Sequence, residues 1–224
     1  MTTMAARSEA RGGDALDAAG GALAVHCVAA GRAARDTLVD IHRAALPNDV
    51  LPRLGKRFLG RYFESMLADD SQPIIGAFVD DELVGFCQLS LSPVGIATVL
   101  RRQPGCILSI AAAVVRQPAV FRRGLALAFR RSSGTRVPEV SLLAVSALHQ
   151  RRGIGKQLVR HAMAVAAGRG FDRIHTKTAN ASARAMYERS FGASVVETYA
   201  VGGLEYWCLS WPCTTTVSRP NARS

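Results

Sequence analysis

Residues 142–159 read Leu142-Leu-Ala-Val-Ser-Ala-Leu-His-Gln-Arg-Arg-Gly-Ile-Gly-Lys-Gln-Leu-Val159. An apolar run of strand length passes into a short polar loop and then into the first turns of an amphipathic helix. Gly153 and Gly155 lie in the loop, flanked by Gln150, Arg151, Arg152 and Lys156. Glycine lets the backbone turn tightly and lets a ligand reach N–H groups with no Cβ in the way. The first N–H groups of the following helix have no internal partners and stand at the positive end of its dipole. Strand, glycine loop and helix start together make a cradle for an anion, most often phosphate. The dinucleotide fingerprint needs three glycines at another spacing, and the P-loop needs a Gly-Lys-Ser/Thr ending. Neither is present.

What does match is Gln-x-x-Gly-x-Gly, from Gln150 to Gly155, directly after a strand ending in Val145. Further on comes Asn180-Ala-Ser-Ala-Arg-Ala-Met-Tyr187-Glu-Arg-Ser-Phe191-Gly192. In this order and at this distance, the two stretches resemble the GNAT superfamily of acetyl-CoA-dependent N-acetyltransferases. The first is similar to its pyrophosphate loop, the second to its Asn-x-x-Ala-x-x-x-Tyr-x-x-x-Gly-Phe segment. The order Phe191-Gly192 departs from the commoner Gly-Phe and implies a local difference in the turn. The resemblance covers Glu139 to Trp211 and extends over Ala22 to Ser90; the residues between carry none of it.

The resemblance implies an α/β fold: a mixed central β-sheet of six or seven strands flanked by helices, with acetyl-CoA as acyl donor and no metal. It implies that Leu143 and Val145 lend backbone groups to the pantetheine arm, and that the Val145 N–H donates to the thioester carbonyl. One oxyanion donor of that kind typically lowers a barrier by ~3 kcal/mol. The diphosphate would sit on the backbone of Gln150, Arg151, Arg152, Gly153, Ile154, Gly155 and Lys156. Tyr187 stands where family members place the tyrosine that protonates the departing thiolate. A phenol with an ordinary pKa of about 10 suits that task. The alternative for Tyr187 is a core tyrosine that packs the helix onto the sheet. Asn180 either bonds the cofactor arm or caps the next helix, a role Asn fills well. The general base stays open among Glu139, Ser141, His175 and Glu205, with Glu139, at the start of the strand leading to the loop, the residue selected.

At 224 residues the chain suits one domain with a sizeable core, and its 49% hydrophobic content fits a globular protein. No apolar run approaches the ~20 residues of a membrane helix, and no signal peptide is legible. Five scattered cysteines argue for reduced thiols and a cytoplasmic location, and no Cys/His spacing suggests a metal. The net charge of +11 is concentrated: residues 83–138 hold eight arginines and no lysine or acid, leaving +3 for all the rest.

Taken in order, 1–21 reads as a disordered leader and 22–211 as the transferase domain, with 212–224 a disordered tail. Ala22 to Val28 is the expected first strand. A helical face repeats at Ala34, Leu38, Ile41 and Ala45, and a second stripe at Leu51, Leu54, Phe58, Tyr62 and Met66. Ile74–Val79 and Leu83–Leu91 are strands about an Asp80-Asp81 turn. Residues 93–134 form an Arg-rich helical insertion ahead of the central strand, with an amphipathic helix over 119–131. That helix packs on the domain, walls the acceptor site or touches a membrane surface. Glu139–Val145, Gly155–Arg169, Arg173–Thr178, Ser182–Ser190, Ser194–Tyr199 and Leu204–Trp211 complete an alternating strand and helix pattern.

The expected activity is direct acetyl transfer to a primary amine of a small acceptor. The arginine-rich insertion points to an anionic one, an amino sugar or its nucleotide- or lipid-linked form. A protein or peptide amine, or a non-catalytic acyl-CoA sensor on the same fold, are the alternatives. A homodimer is compatible; a nucleic-acid partner is not expected, because no recognition helix or interleaved surface aromatics occur.

Overall fold

In the computed structural model, residues 24–47, 49–92, 138–201 and 203–213 are described. The leader, the Arg-rich insertion with the helix expected over 119–131, and residues 214–224 of the tail lie outside them; of the tail expected from 212, Pro212 instead ends the last strand and Cys213 is buried.

Seven strands form one sheet in the order β1-β2-β3-β4-β5-β7-β6. They are β1 His26–Ala29, β2 Ile74–Val79, β3 Glu82–Ser90, β4 Glu139–Val145, β5 Arg173–Thr178, β6 Ser194–Val201 and β7 Leu204–Pro212. Among the described residues only β4 and β5 run parallel; every other pairing is antiparallel. The first strand begins at His26 rather than Ala22, so Ala24 and Val25 precede the sheet. Asp80 and Asp81 both have positive φ, 49° and 63°, which gives the β2–β3 turn the twist of a two-residue hairpin.

The helices are α1 Arg35–Ala45, α2 Val50–Arg53, α3 Lys56–Leu67, α4 Ile154–Gly168 and α5 Ala181–Phe191. The single stripe read from Leu51 to Met66 is in fact two helices. Gly55, at φ 96°, leaves helical space between them, and the apolar spacing carries across the break. Leu38, Ile41, Leu59, Phe63 and Met66 from α1 and α3 pack with Ile74, Phe86 and Ala144. A second core joins Ile154, Leu158, Ala162 and Ala166 of α4 and Tyr187 of α5 to Cys87, Val140, Ile174, Leu209 and Trp211. The sheet thus separates two apolar layers.

A bulge in β4 sets which way its residues face. Gln88 pairs with Leu142 but Leu89 pairs with Val140, so Ser141 is the extra residue. It resets the strand's alternation, so that Val140, Leu143 and Val145 share the α4 side and Leu142 and Ala144 the α1 side.

Candidate active site

The parallel ladder between β4 and β5 lasts two residue pairs, Glu139 with His175 and Val140 with Thr176. The Thr176 hydroxyl donates to Val140 O at 2.8 Å and closes the fork. Past Val140 the strands part, and β4 continues to Val145 along β3 alone. Ser146 N–H donates to Val84 O at 2.8 Å, so strand alternation turns the backbone groups of Val145 and Leu143 the other way, into the gap. An open strand edge inside a sheet is a site for an extended chain with amide groups of its own.

The gap leads to the loop. A 3₁₀ turn, Ala147–His149, is followed by Arg151 at φ 62° and Gly153 at φ 80°. A non-glycine residue in left-handed space costs roughly 1 kcal/mol and signals a backbone bent for a purpose. The bend ends at the start of α4, where Gly153 O accepts from the N–H groups of Lys156 and Gln157. The N–H groups of Gly153, Ile154 and Gly155 precede the first helical bonds and have no partner within the helix. Arg151, Arg152 and Lys156 stand exposed around them. A Cβ on Gly155 would lie 3.8 Å from Met186 Sδ and 3.9 Å from Leu143 Cδ2, so this glycine sits where loop, β4 and α5 converge. The Gln150 side-chain amide donates to Val145 O at 3.0 Å, bracing the strand end.

Tyr187 rises from α5 beneath the fork. It is 3% exposed and stacks on Trp211 at 5.1 Å between ring centroids, with Phe191 beyond. Burial pushes its phenol above the ordinary range, the nearby Cys87 adds to this, and a hydrogen bond with Thr176 offsets part of it. The phenol therefore stays protonated and remains a proton donor at neutral pH. The turn difference at Phe191-Gly192 has a plain basis: Gly192 adopts φ 64° and ends α5 with its N–H on Glu188 O. Asn180 caps α5. Its Oδ1 accepts from the N–H groups of Ser182 and Ala183 at 2.9 and 3.1 Å.

On the opposite sheet face, Glu139 Oε2 lies 3.4 Å from both His175 Nε2 and Lys177 Nζ. Burial works to raise the carboxyl's pKa, but the His175 hydrogen bond and the Lys177 charge outweigh it, and the net shift is downward. Glu139 is thus held ionised. Of the other base candidates, the Ser141 hydroxyl bonds that of Ser90 at 2.6 Å and donates to Glu139 O at 3.5 Å, and Glu205 is exposed on β7. Sequence reasoning missed Lys177, although its spacing of two from His175 on one strand places both on the same face. Thr176 and Trp211 left no such signal, because their partners are distant in the chain.

Among the described residues, no group of three or more His, Cys, Asp or Glu could hold a metal, and no helix is long and apolar enough to cross a membrane.

The family model described as the acetyltransferase (GNAT) family matches residues 35–193. Arylalkylamine N-acetyltransferase 2 from Aedes aegypti is similar in structure, with TM-score 0.58 and 14% identity over 85% of this chain and 100% of that one. The ribosomal-protein-S18-alanine N-acetyltransferase from Escherichia coli gives TM-score 0.55 and 13% identity over 88% and 98%. An acetyltransferase from Thermus thermophilus gives 0.53 and 16% over 85% and 98%. Identities this low speak for the fold alone. No curated protein matches the chain in sequence. The family match, running from α1 to the end of α5, takes in the glycine loop, the parted strands and the buried tyrosine, and the chain belongs to the GNAT family of acetyl-CoA-dependent N-acetyltransferases.

Proposed function

We propose that the chain transfers an acetyl group from acetyl-CoA directly to a primary amine held beside it. Acetyl-CoA, when bound, supplies the activated thioester; the chain supplies alignment and proton transfers. Leu143 and Val145 hold the pantetheine amides, and the N–H groups of Gly153, Ile154 and Gly155 hold the diphosphate with Arg151, Arg152 and Lys156. The Val145 N–H stabilises charge on the carbonyl oxygen as the amine attacks, a contribution of ~3 kcal/mol for a donor of this kind. Tyr187 gives its phenolic proton to the departing sulfur. Glu139, with His175 beside it, receives the proton the amine loses.

The observation that supports this most is the placement of a protonated tyrosine, bonded to Thr176, at the point where the β4–β5 ladder stops. No covalent intermediate is invoked: the nearby Cys87 thiol is pushed up to about 12 by burial and by Cys27, so no thiolate is available at neutral pH. The acceptor is read as small and anionic, an amino sugar or its nucleotide- or lipid-linked form; the arginines of residues 93–134 support this.

The test is calorimetric titration with acetyl-CoA, then thiol release against a panel of primary amines with and without a phosphate. Acetyl-CoA should bind, and phosphate-bearing amines should give the higher kcat/KM. Tyr187→Phe should lower turnover by about 10²-fold while leaving acetyl-CoA affinity in place. Undiminished turnover in that variant would remove Tyr187 from the chemistry, and equal use of neutral amines would rule out the anionic acceptor.

A further inference from the structure

Past the fork, β4 is held from one side only, yet its last residue carries the N–H on which carbonyl polarisation depends. Two residues fix that strand end. Gly85 faces Val145 across the β3–β4 ladder. A Cβ built on it would meet Ala144 O at 3.0 Å, Val145 Cγ2 at 3.2 Å and Val145 Cα at 3.3 Å. The absence of a side chain therefore sets how closely β3 and the end of β4 approach. On the open side, the Gln150 amide reaches five residues back to Val145 O at 3.0 Å. Val145 is thus pressed by backbone from one edge, and the peptide that follows it is held at both ends, its Val145 O by the Gln150 side chain and its Ser146 N–H by Val84 O.

We infer that Gln150 and Gly85 are positioning residues for the Val145 N–H, Gln150 acting through Val145 rather than through the diphosphate. The inference rests on the reading of Val145 as the donor to the thioester carbonyl. Its physical basis is that a strand end bonded along a single edge moves by fractions of an ångström when a tie is cut. Displacement of a reacting partner by about 1 Å is worth roughly 10²-fold in rate.

Gln150→Met keeps the length and removes the donor; Gln150→Arg keeps an N–H donor. With water as acceptor and saturating acetyl-CoA, thiol release in Gln150→Met should fall about tenfold, with the calorimetric Kd unchanged, and Gln150→Arg should restore much of it. The infrared stretch of carbonyl-labelled acetyl-CoA should move toward its free-solution frequency in Gln150→Met and in Gly85→Ala. A weaker Kd with an unmoved carbonyl band and unchanged rate would overturn the inference and return Gln150 to the diphosphate site. Gly85→Ala risks the fold, but Gln150 is exposed, so its variants carry the test alone if Gly85→Ala does not fold. Replacing the Val145 amide by an ester deletes the N–H itself. If the ester slows thiol release and Gln150→Met does not, the inference fails while the underlying reading stands. If the ester has no effect, both fall.

Discussion

Glu139 is a carboxylate held between an imidazole and an ammonium at 3.4 Å each, and its proton affinity follows from those two neighbours. Its pKa in the folded chain lies below the reference 4.5 despite burial, so the folded state binds this proton less readily than the unfolded chain. The linkage has a definite sign: Glu139 adds stability at neutral pH, and that share is lost as pH falls below 4.5 and through the lower folded value. Glu139→Gln should therefore be less stable than the native protein at neutral pH, and the gap should narrow on acidification. Denaturant midpoints measured across that range check this; a constant gap would mean that Glu139 is not held ionised by these partners. The residue's place on β4 was legible because a strand start is read from local pattern. Its two partners come from the parallel neighbour, and strand pairing is not written in either segment alone.

For the loop and the helix it opens, the two glycines have different reasons to exist. Gly153 holds φ 80° with nothing within 4 Å of a Cβ, so Gly153→Ala carries backbone strain and no clash, about 1 kcal/mol. Gly155 is free of positive φ, and its built Cβ meets only ordinary contacts at 3.8 and 3.9 Å. Gly155→Ala should keep the melting temperature within a degree or so, since alanine suits a helix better than glycine. Acetyl-CoA affinity should nevertheless fall about tenfold, because the added methyl stands where loop, β4 and α5 converge. Thermal unfolding and calorimetry of the pair separate the two roles; a Gly155→Ala protein that binds normally would show the ligand passing elsewhere. Local chemistry made this element readable: glycine spacing, a cationic flank and a helix start are all neighbours in sequence. The helix stripe from Leu51 to Met66 shows the limit of such reading, since apolar spacing survives a break at Gly55 that only the backbone angle reveals.

Across the whole molecule, Trp211 joins the far end of the chain to the centre of the site. It is fully buried, stacks on both Tyr187 and Phe191, and anchors α5 to β7. Trp211→Ala should cost about 3–5 kcal/mol in a denaturant titration and lower turnover further by loosening Tyr187. Trp211→Phe should cost clearly less, because the indole Nε1 has no hydrogen-bond partner among the described residues and its loss leaves no group unsatisfied. Equal costs for the two would show that ring stacking is not what holds α5.

The sequence by itself determined the α/β class, the strand and helix succession, the glycine loop that opens α4 and the tyrosine-bearing helix. Each of these depends on residues within a few positions of one another, and periodicity, glycine placement and capping act at that range. Tertiary structure alone decided where the β4–β5 ladder stops, that Gln150 braces Val145, that Asn180 caps, and that His175 and Lys177 converge on Glu139. A ladder's length is set by bulges and by competition among neighbouring strands, and a side chain's partner by which distant segment packing brings within reach.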